Sequence, residues 1–304
     1  MQTKRPKTPI HGFINLNKPL GITSADAVNK AKWLIKPTKI GHAGTLDPLA
    51  TGVLPLALGE GTKCINLLMD AKKTYEFAVT FGERRTTDDA EGEVVATSDK
   101  IPTDAEIRVI LPRFTGEISQ LPPIYSALKV DGKRAYDLAR AGEEVVLEPR
   151  NVTVYALEFI KFEAAAIAHF RATVSKGTYI RSLGRDMAQA LGSQGYISRL
   201  HRAAVGPFTD AEAISLDFLE KSVHNAPPPA GTPHWLTPLE RALDDIPAVS
   251  IDGGQLTCLR HGQRFTLATP QPDAPLVAVL HEGKLVALAQ VVGNQVIPVR
   301  VLVF

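Results

Sequence analysis

The sequence predicts an α+β fold: a mixed, largely antiparallel sheet flanked by helices, with a small β-barrel-like domain at its C-terminal end. Three observations carry this. Apolar residues alternate with polar ones in strand period, as at Tyr75, Phe77, Val79 and Phe81 against Thr74, Glu76, Ala78 and Thr80. Such runs are joined by hairpin-like turns as well as by one-sided helices, which argues against a doubly wound parallel sheet. Between His224 and Pro247 six prolines fall in 24 residues, and beyond them the chain becomes rich in Val, Leu and Gly. The expected organisation is a main domain at 1–230, a linker at 231–247 and a β domain at 248–304.

Residues 12–16 read as a short strand and 17–21, with their Pro and Gly, as a turn. Ser24 is placed to N-cap a helix whose Ala27, Val28, Ala31, Leu34 and Ile35 share one face, and Pro37 ends it. After a glycine-rich loop, residues 53–58 form a buried strand closed by Gly59, and 62–68 a helix. The strand carrying Tyr75 follows. Residues 82–92 have no apolar period and read as a solvated, charged loop before a strand at 93–97. Thr103 and Glu106 make a capping box for a helix bearing Ile107, Ile110, Leu111 and Phe114. A helix over 134–140 closes at Gly142, and strands follow at 152–160 and 166–174. Ile180, Leu183, Met187 and Leu191 then mark a helix stopped by Gly192. In the tail, apolar runs at 276–280, 285–292 and 296–304 fit a compact barrel.

A composition of 44% hydrophobic and 22% charged residues over 304 positions is that of a globular protein with a substantial core. No apolar run reaches the ~18 residues of a membrane span, and the basic start is followed by no apolar stretch of a secretory signal. Cys64 and Cys258 are too far apart in sequence to form a metal or disulfide framework, which fits a reducing cytoplasm. The net charge is only +2, but it is unevenly spread. Residues 1–40 hold eight Lys or Arg against one acid, Asp26, and residues 164–185 hold Arg171, Lys176, Arg181 and Arg185 with none. That clustering points to a polyanionic partner on one face, with a merely solvated basic face as the alternative.

The chain is organised around residues 41–52, Gly-His-Ala-Gly-Thr-Leu-Asp-Pro-Leu-Ala-Thr-Gly. Gly41, Gly44 and Gly52 permit positive φ, and Pro48 pushes Asp47 toward an extended conformation, so a shaped loop presents one carboxylate. The plain alternative is a turn whose Asp bonds its own backbone.

That block, continued through Val53-Leu-Pro55, resembles the signature of the bacterial tRNA pseudouridine synthases that act on uridine 55 of the T-loop. Similar to the same family are Asn17-Lys-Pro-Leu-Gly21, Lys73-Thr-Tyr75, the Pro-Pro-Ile-Tyr-Ser-Ala-Leu-Lys of 122–129, the Ser-Lys-Gly-Thr-Tyr-Ile-Arg of 175–181, and Arg199–Arg202. The blocks occur in family order across 12–210. Ala43 departs from the pattern, where the family commonly has Thr.

The resemblance implies a redox-neutral isomerisation of uridine to pseudouridine, without metal or other cofactor, in keeping with the lack of a P-loop, a dinucleotide fingerprint or Cys/His ligand spacing. It implies Asp47 as nucleophile, Arg181 as its ionic partner, and Tyr75 as the residue that packs on the uracil and removes the C5 proton. On strand pattern alone Tyr75 belongs to the core. Lys18 is implied as a brace of the active site, and His42 as the residue that fills the space of the flipped base. Tyr179 and Leu200 are implied to line the uridine pocket beside Arg202, with the N-terminal basic cluster available for phosphates.

The expected partner is the tRNA T-arm, met by a monomer without an obligate protein partner. Residues 100–150 are expected to be an insertion that grips it, and 248–304 resemble the small RNA-binding (PUA-like) domain appended to this family. Three rival readings are a guide-RNA-dependent relative, a non-catalytic RNA-binding protein on the same fold, and a glycoside hydrolase. The last needs two flanking carboxylates, for which Asp88 and Asp89 are the available pair.

Overall fold

The computed structural model describes residues 7–126, 128–130, 132–141, 145–164, 166–224, 233–244 and 246–304. Its centre is a nine-stranded sheet. Seven strands run across it in the order Gly12–Lys18, Ala50–Leu58, Gly195–Val205, Lys73–Phe81, Ile167–Val174, Arg150–Ala164 and Gly116–Gln120. Every pairing along this path is antiparallel except that of Gly195–Val205 with Ala50–Leu58. The predicted α+β class, mixed and largely antiparallel, is what the chain adopts.

The register explains why one end of the sheet is special. Arg202 lies opposite Gly52 on one side and Tyr75 on the other, and Leu200 lies between Ala50 and Phe77. Three segments distant in sequence therefore reach the same edge of the sheet. Behind them is a dry core in which Leu54, Leu56, Leu58, Phe77, Val79, Phe170 and Ile197 are all buried. The helix Ile180–Ala190 packs on this face through Ile180, Leu183 and Met187. Full burial of such side chains contributes about 1.5–3 kcal/mol each, so the sheet is a stiff support for what is mounted on its edge.

Two local readings of the sequence are corrected. The helix Ser24–Ile35 is capped by Thr23, not Ser24: Thr23 and Asp26 form the capping box, which frees the Ser24 hydroxyl for another task. Residues 82–92 are not a solvated loop. Two short strands, Glu83–Arg85 and Val94–Thr97, pair there, and Asp88 and Asp89 between them are buried. The predicted closure of the 134–140 helix at Gly142 falls outside the described residues.

The C-terminal sheet has five strands in the order Ala248–Ser250, Ala274–His281, Lys284–Val292, Gln295–Val301 and Phe265–Thr266. It curls into a half-barrel whose two edge strands are three and two residues long. A helix, Gly253–Arg260, lies in this region although the sequence reading assigned only strands; its two leading glycines hide it, while Asp252 and Gln255 cap it. Ahead of this sheet, the described part of the proline-rich stretch is packed down. Trp235, Leu239, Ala242 and Leu243 are buried, and Thr237 exchanges both backbone hydrogen bonds with Phe13. Leu239 and Leu243 share a core cluster with Phe13, Val53, Leu285 and Leu302, so the C-terminal sheet is continuous with the base of the main one.

Candidate active site

The loop that carries Asp47 is fixed at almost every residue. Ser24 Oγ accepts from Leu46 N at 2.8 Å and donates to Leu46 O at 3.0 Å, from the first turn of the neighbouring helix. Arg202 donates to Gly44 O at 3.0 Å and Val53 O at 2.7 Å, and Gly21 N to Pro48 O at 2.9 Å. Gly44 and Gly52 take φ of +97° and +103°, and a Cβ on Gly52 would stand 2.3 Å from Arg202 O. Only glycine fits there. The sequence motif is thus the shape of a cradle, and Asp47 is what the cradle holds out.

Asp47 opens into a cavity of about 570 Å³ whose wall also includes Tyr75, Tyr179, Arg181, Leu200 and Arg202. Six of the eight residues singled out in the sequence therefore meet in one place. Lys18 and His42 do not line the cavity. Lys18 is fully buried, and its Nζ donates to Pro19 O at 2.9 Å, Ile22 O at 2.8 Å and Pro48 O at 3.4 Å, bracing the loop from below. His42 ends the strand Ile40–His42 at the loop's entry, half-buried. Burial and the neighbouring Arg202 hold its imidazole below the usual pKa. Arg202, also buried, is committed to the two carbonyls of the loop.

Arg181 is the hub. Its Nε meets Asp47 Oδ2 at 3.0 Å and its Nη1 meets Asp89 Oδ2 at 3.5 Å. The same guanidinium donates to Thr87 O at 3.1 Å and Tyr125 O at 3.0 Å. Its charge and all its edges are occupied, so it cannot swing away from Asp47 without orphaning buried partners. Burial pushes the Asp47 carboxyl above its ordinary pKa; Arg181 pulls it down, Asp89 pushes it further up, and Lys18 opposes again. Burial also lowers Lys18 to about 8.

Two sequence profiles match the chain: the TruB family pseudouridylate synthase N-terminal domain over residues 32–180 and the tRNA pseudouridylate synthase B C-terminal domain over 181–244. The tRNA pseudouridine synthase B of Rhodospirillum rubrum is 45% identical over 309 aligned residues, spanning 99% of each chain. The chain belongs to the TruB family. The synthase of the same name from Bradyrhizobium diazoefficiens is 47% identical, covering 99% of this chain and 88% of its own. Among solved structures, an H/ACA ribonucleoprotein bound to a substrate RNA containing 2'-deoxyuridine superposes with a TM-score of 0.73 at 26% identity, over 96% of this chain and 85% of that one. A Cbf5-Nop10-Gar1 complex gives 0.72 at 28%, over 95% and 84%. As a member of this family, the protein is a tRNA pseudouridine synthase, an isomerase that forms pseudouridine in tRNA.

In this TruB-family site the sequence reading gave Asp88 and Asp89 no part: it weighed them only as the carboxylate pair of a glycoside hydrolase. Arg181 and Arg185 lie four apart on one helix and so face the same way. Asp89 takes the first and Asp88 the second, with Arg185 Nη1 2.8 Å from Asp88 Oδ2. Thr87 Oγ1 donates to Asp89 Oδ1 at 2.5 Å, and Arg185 also holds Leu121 O at 2.9 Å. The signal was available: a run of cations without acids at 164–185, two of them at helical spacing, and an Asp-Asp pair elsewhere. Lys73 was likewise overlooked. It lies in the cavity wall, and its Nζ reaches Leu68 O, Met69 O and Ala71 O at 3.0, 2.5 and 2.7 Å, tying the end of the helix Ile65–Asp70 to the strand that carries Tyr75. Burial lowers Lys73 to about 8.

Proposed function

We propose that the protein isomerises a uridine in the T-loop of tRNA, at position 55, after flipping the base into the Asp47 cavity. The observation that carries this is the Asp47 carboxylate, held by Arg181 on a loop anchored by Lys18, Ser24 and Arg202 and opening into a cavity flanked by Tyr75 and Tyr179. A stacked base cannot reach that depth, so it leaves its stack at a cost of roughly a few kcal/mol. Asp47 attacks a carbon of the ribose or base, the N1–C1' bond breaks, the uracil turns, C1' joins C5, and the bond to Asp47 breaks to return the free carboxylate. Loss of the C5 proton, with Tyr75 as acceptor, and protonation of N1 balance the reaction; nothing is oxidised or reduced. His42 occupies the space the base leaves, Leu200 and Tyr179 hold the uracil, and Lys18 and Arg202 keep the loop in shape.

The insertion at 100–150 serves the same site, since it supplies Tyr125 O to Arg181 and Leu121 O to Arg185. Residues 1–230 form the catalytic unit and 248–304 a PUA-like surface for the rest of the tRNA, with the protein acting as a cytoplasmic monomer. One observation favours a second reading, a guide-RNA-dependent enzyme: the likeness to H/ACA proteins at TM-scores above 0.7. The deciding experiment is incubation of the purified protein with unmodified tRNA transcript, without ATP, metal or guide RNA, and mapping of pseudouridine by chemical labelling and primer extension. A single T-loop stop, absent with Asp47→Asn, is the expected result. Binding without a stop transfers the assignment to the guide-dependent enzyme.

A further inference from the structure

At the end of the helix Ser24–Ile35 remote from the catalytic loop, three lysines converge. Lys7, Lys32 and Lys39, with Pro37, Thr38 and Thr62, line a hollow of about 400 Å³. The backbone builds it. Thr8 N donates to Lys36 O at 2.8 Å and Thr8 Oγ1 to Ile35 O at 3.0 Å, which ties the N-terminal segment to the helix end. Lys36 adopts a left-handed φ of 53°, so the chain doubles back and brings Lys39 beside Lys32. A helix C-terminus favours a cation nearby. It accounts for Lys32 but not for two more drawn in from separate segments.

Several other exposed cations of the molecule are paired, although Arg113, Arg264 and Lys284 are exposed and also without an ion pair among the described residues; what sets the three lysines apart is that they share one hollow. Arg171 is paired with Glu76 at 3.3 Å, Arg199 with Glu163 at 2.9 Å, Lys176 with Asp70 at 2.8 Å, and Lys30, on the same helix, with Glu220 at 2.8 Å. Among the described residues no carboxylate lies within ion-pair distance of Lys7, Lys32 or Lys39, and all three are exposed. Three unneutralised ammonium groups around a hollow repel one another and attract an anion.

We propose that this hollow seats backbone phosphate of the tRNA at a point outside the T-arm, a reading that rests on tRNA being the substrate. Lys32 lies eight residues along the helix from Ser24, which touches Leu46 of the catalytic loop, ~12 Å at 1.5 Å per residue, and Ile40 of the hollow begins the strand that leads into that loop. A nucleotide in the Asp47 cavity leaves the hollow to a different part of the same RNA.

The test compares the wild type with a Lys7→Glu, Lys32→Glu, Lys39→Glu variant and with the milder triple Gln variant, each titrated with full tRNA and with an isolated T-arm hairpin at several salt concentrations. The expected result is a tRNA affinity reduced about tenfold or more by the Glu variant at low salt, with the slope of log K on log salt smaller by up to about 3. The Gln variant shows a smaller loss of the same kind, and hairpin affinity changes by less than about twofold in both. Unchanged tRNA affinity and slope overturn the proposal. So does an equal loss for tRNA and hairpin, which reports general steering, and so does a loss with Glu but none with Gln, which reports introduced repulsion. Absence of pseudouridine in tRNA treated with the wild type is a separate failure, that of the substrate reading.

Discussion

Asp47 and Asp89 sit at two edges of one guanidinium, yet they are different groups. The Asp47 side chain is 36% exposed, facing the cavity, whereas that of Asp89 is 2% exposed and held by Thr87 as well. The carboxylate open to the cavity can meet a substrate. The buried one cannot, and what it does is fix the arginine. Chemical reach and structural hold are thus divided between two like residues by exposure, and residue type does not separate them.

The sharpest way to break the comparison is Asp47→Asn, which keeps the shape and removes the nucleophile. Turnover on tRNA falls by about 10⁴-fold or more, while tRNA affinity, measured by filter binding, stays near that of the wild type. Arg181→Lys comes next. A lysine cannot face Asp47, Asp89 and two carbonyls together, so single-turnover rates drop by about 10²–10³-fold. Asp88→Asn tests hold without reach: it leaves the buried Arg185 with Asp186, 2.8 Å away, as its remaining charge partner, costs about 1–3 kcal/mol in denaturant unfolding, and changes turnover little. Asp89→Asn has the smallest effect on rate, about tenfold, and the most informative effect on pH. Asp89 is one of the groups that raise the Asp47 carboxyl, so its neutralisation lowers that pKa and moves the acidic limb of the rate profile to lower pH. Arg181→Lys loosens the contact that opposes the rise, and its acidic limb moves to higher pH. Limbs that stay in place would show that the ionisation of Asp47 does not control the rate.

What was legible in the sequence follows the same division. The Asp47 loop was legible because its conformation is written locally, in glycines at positive φ and a proline after the aspartate. The capping box at Thr103 and Glu106 and the strand through Tyr75 were legible for the same reason. Asp88 and Asp89 were not, because their partners lie more than 90 residues away on a helix, and a charged stretch looks solvated until a cation is found to bury it. Ser24 misled for a related reason. It stands beside a better cap, Thr23, and its hydroxyl is used by Leu46 instead. Sequence reveals residues that shape their own backbone, and it conceals those whose place is decided by a distant partner.

The bracing of the loop by Arg202 reaches across 149 and 158 positions of chain to Val53 and Gly44. During synthesis at ~5–20 residues per second, the segment bearing Asp47 leaves the ribosome roughly 8–30 s before the strand that completes its cradle. Contacts of such separation also close slowly, since the chain's entropy is lost before they form. The site is therefore among the last parts of the molecule to be assembled, and a chain interrupted before residue 195 carries the motif without the strand that gives it a shape.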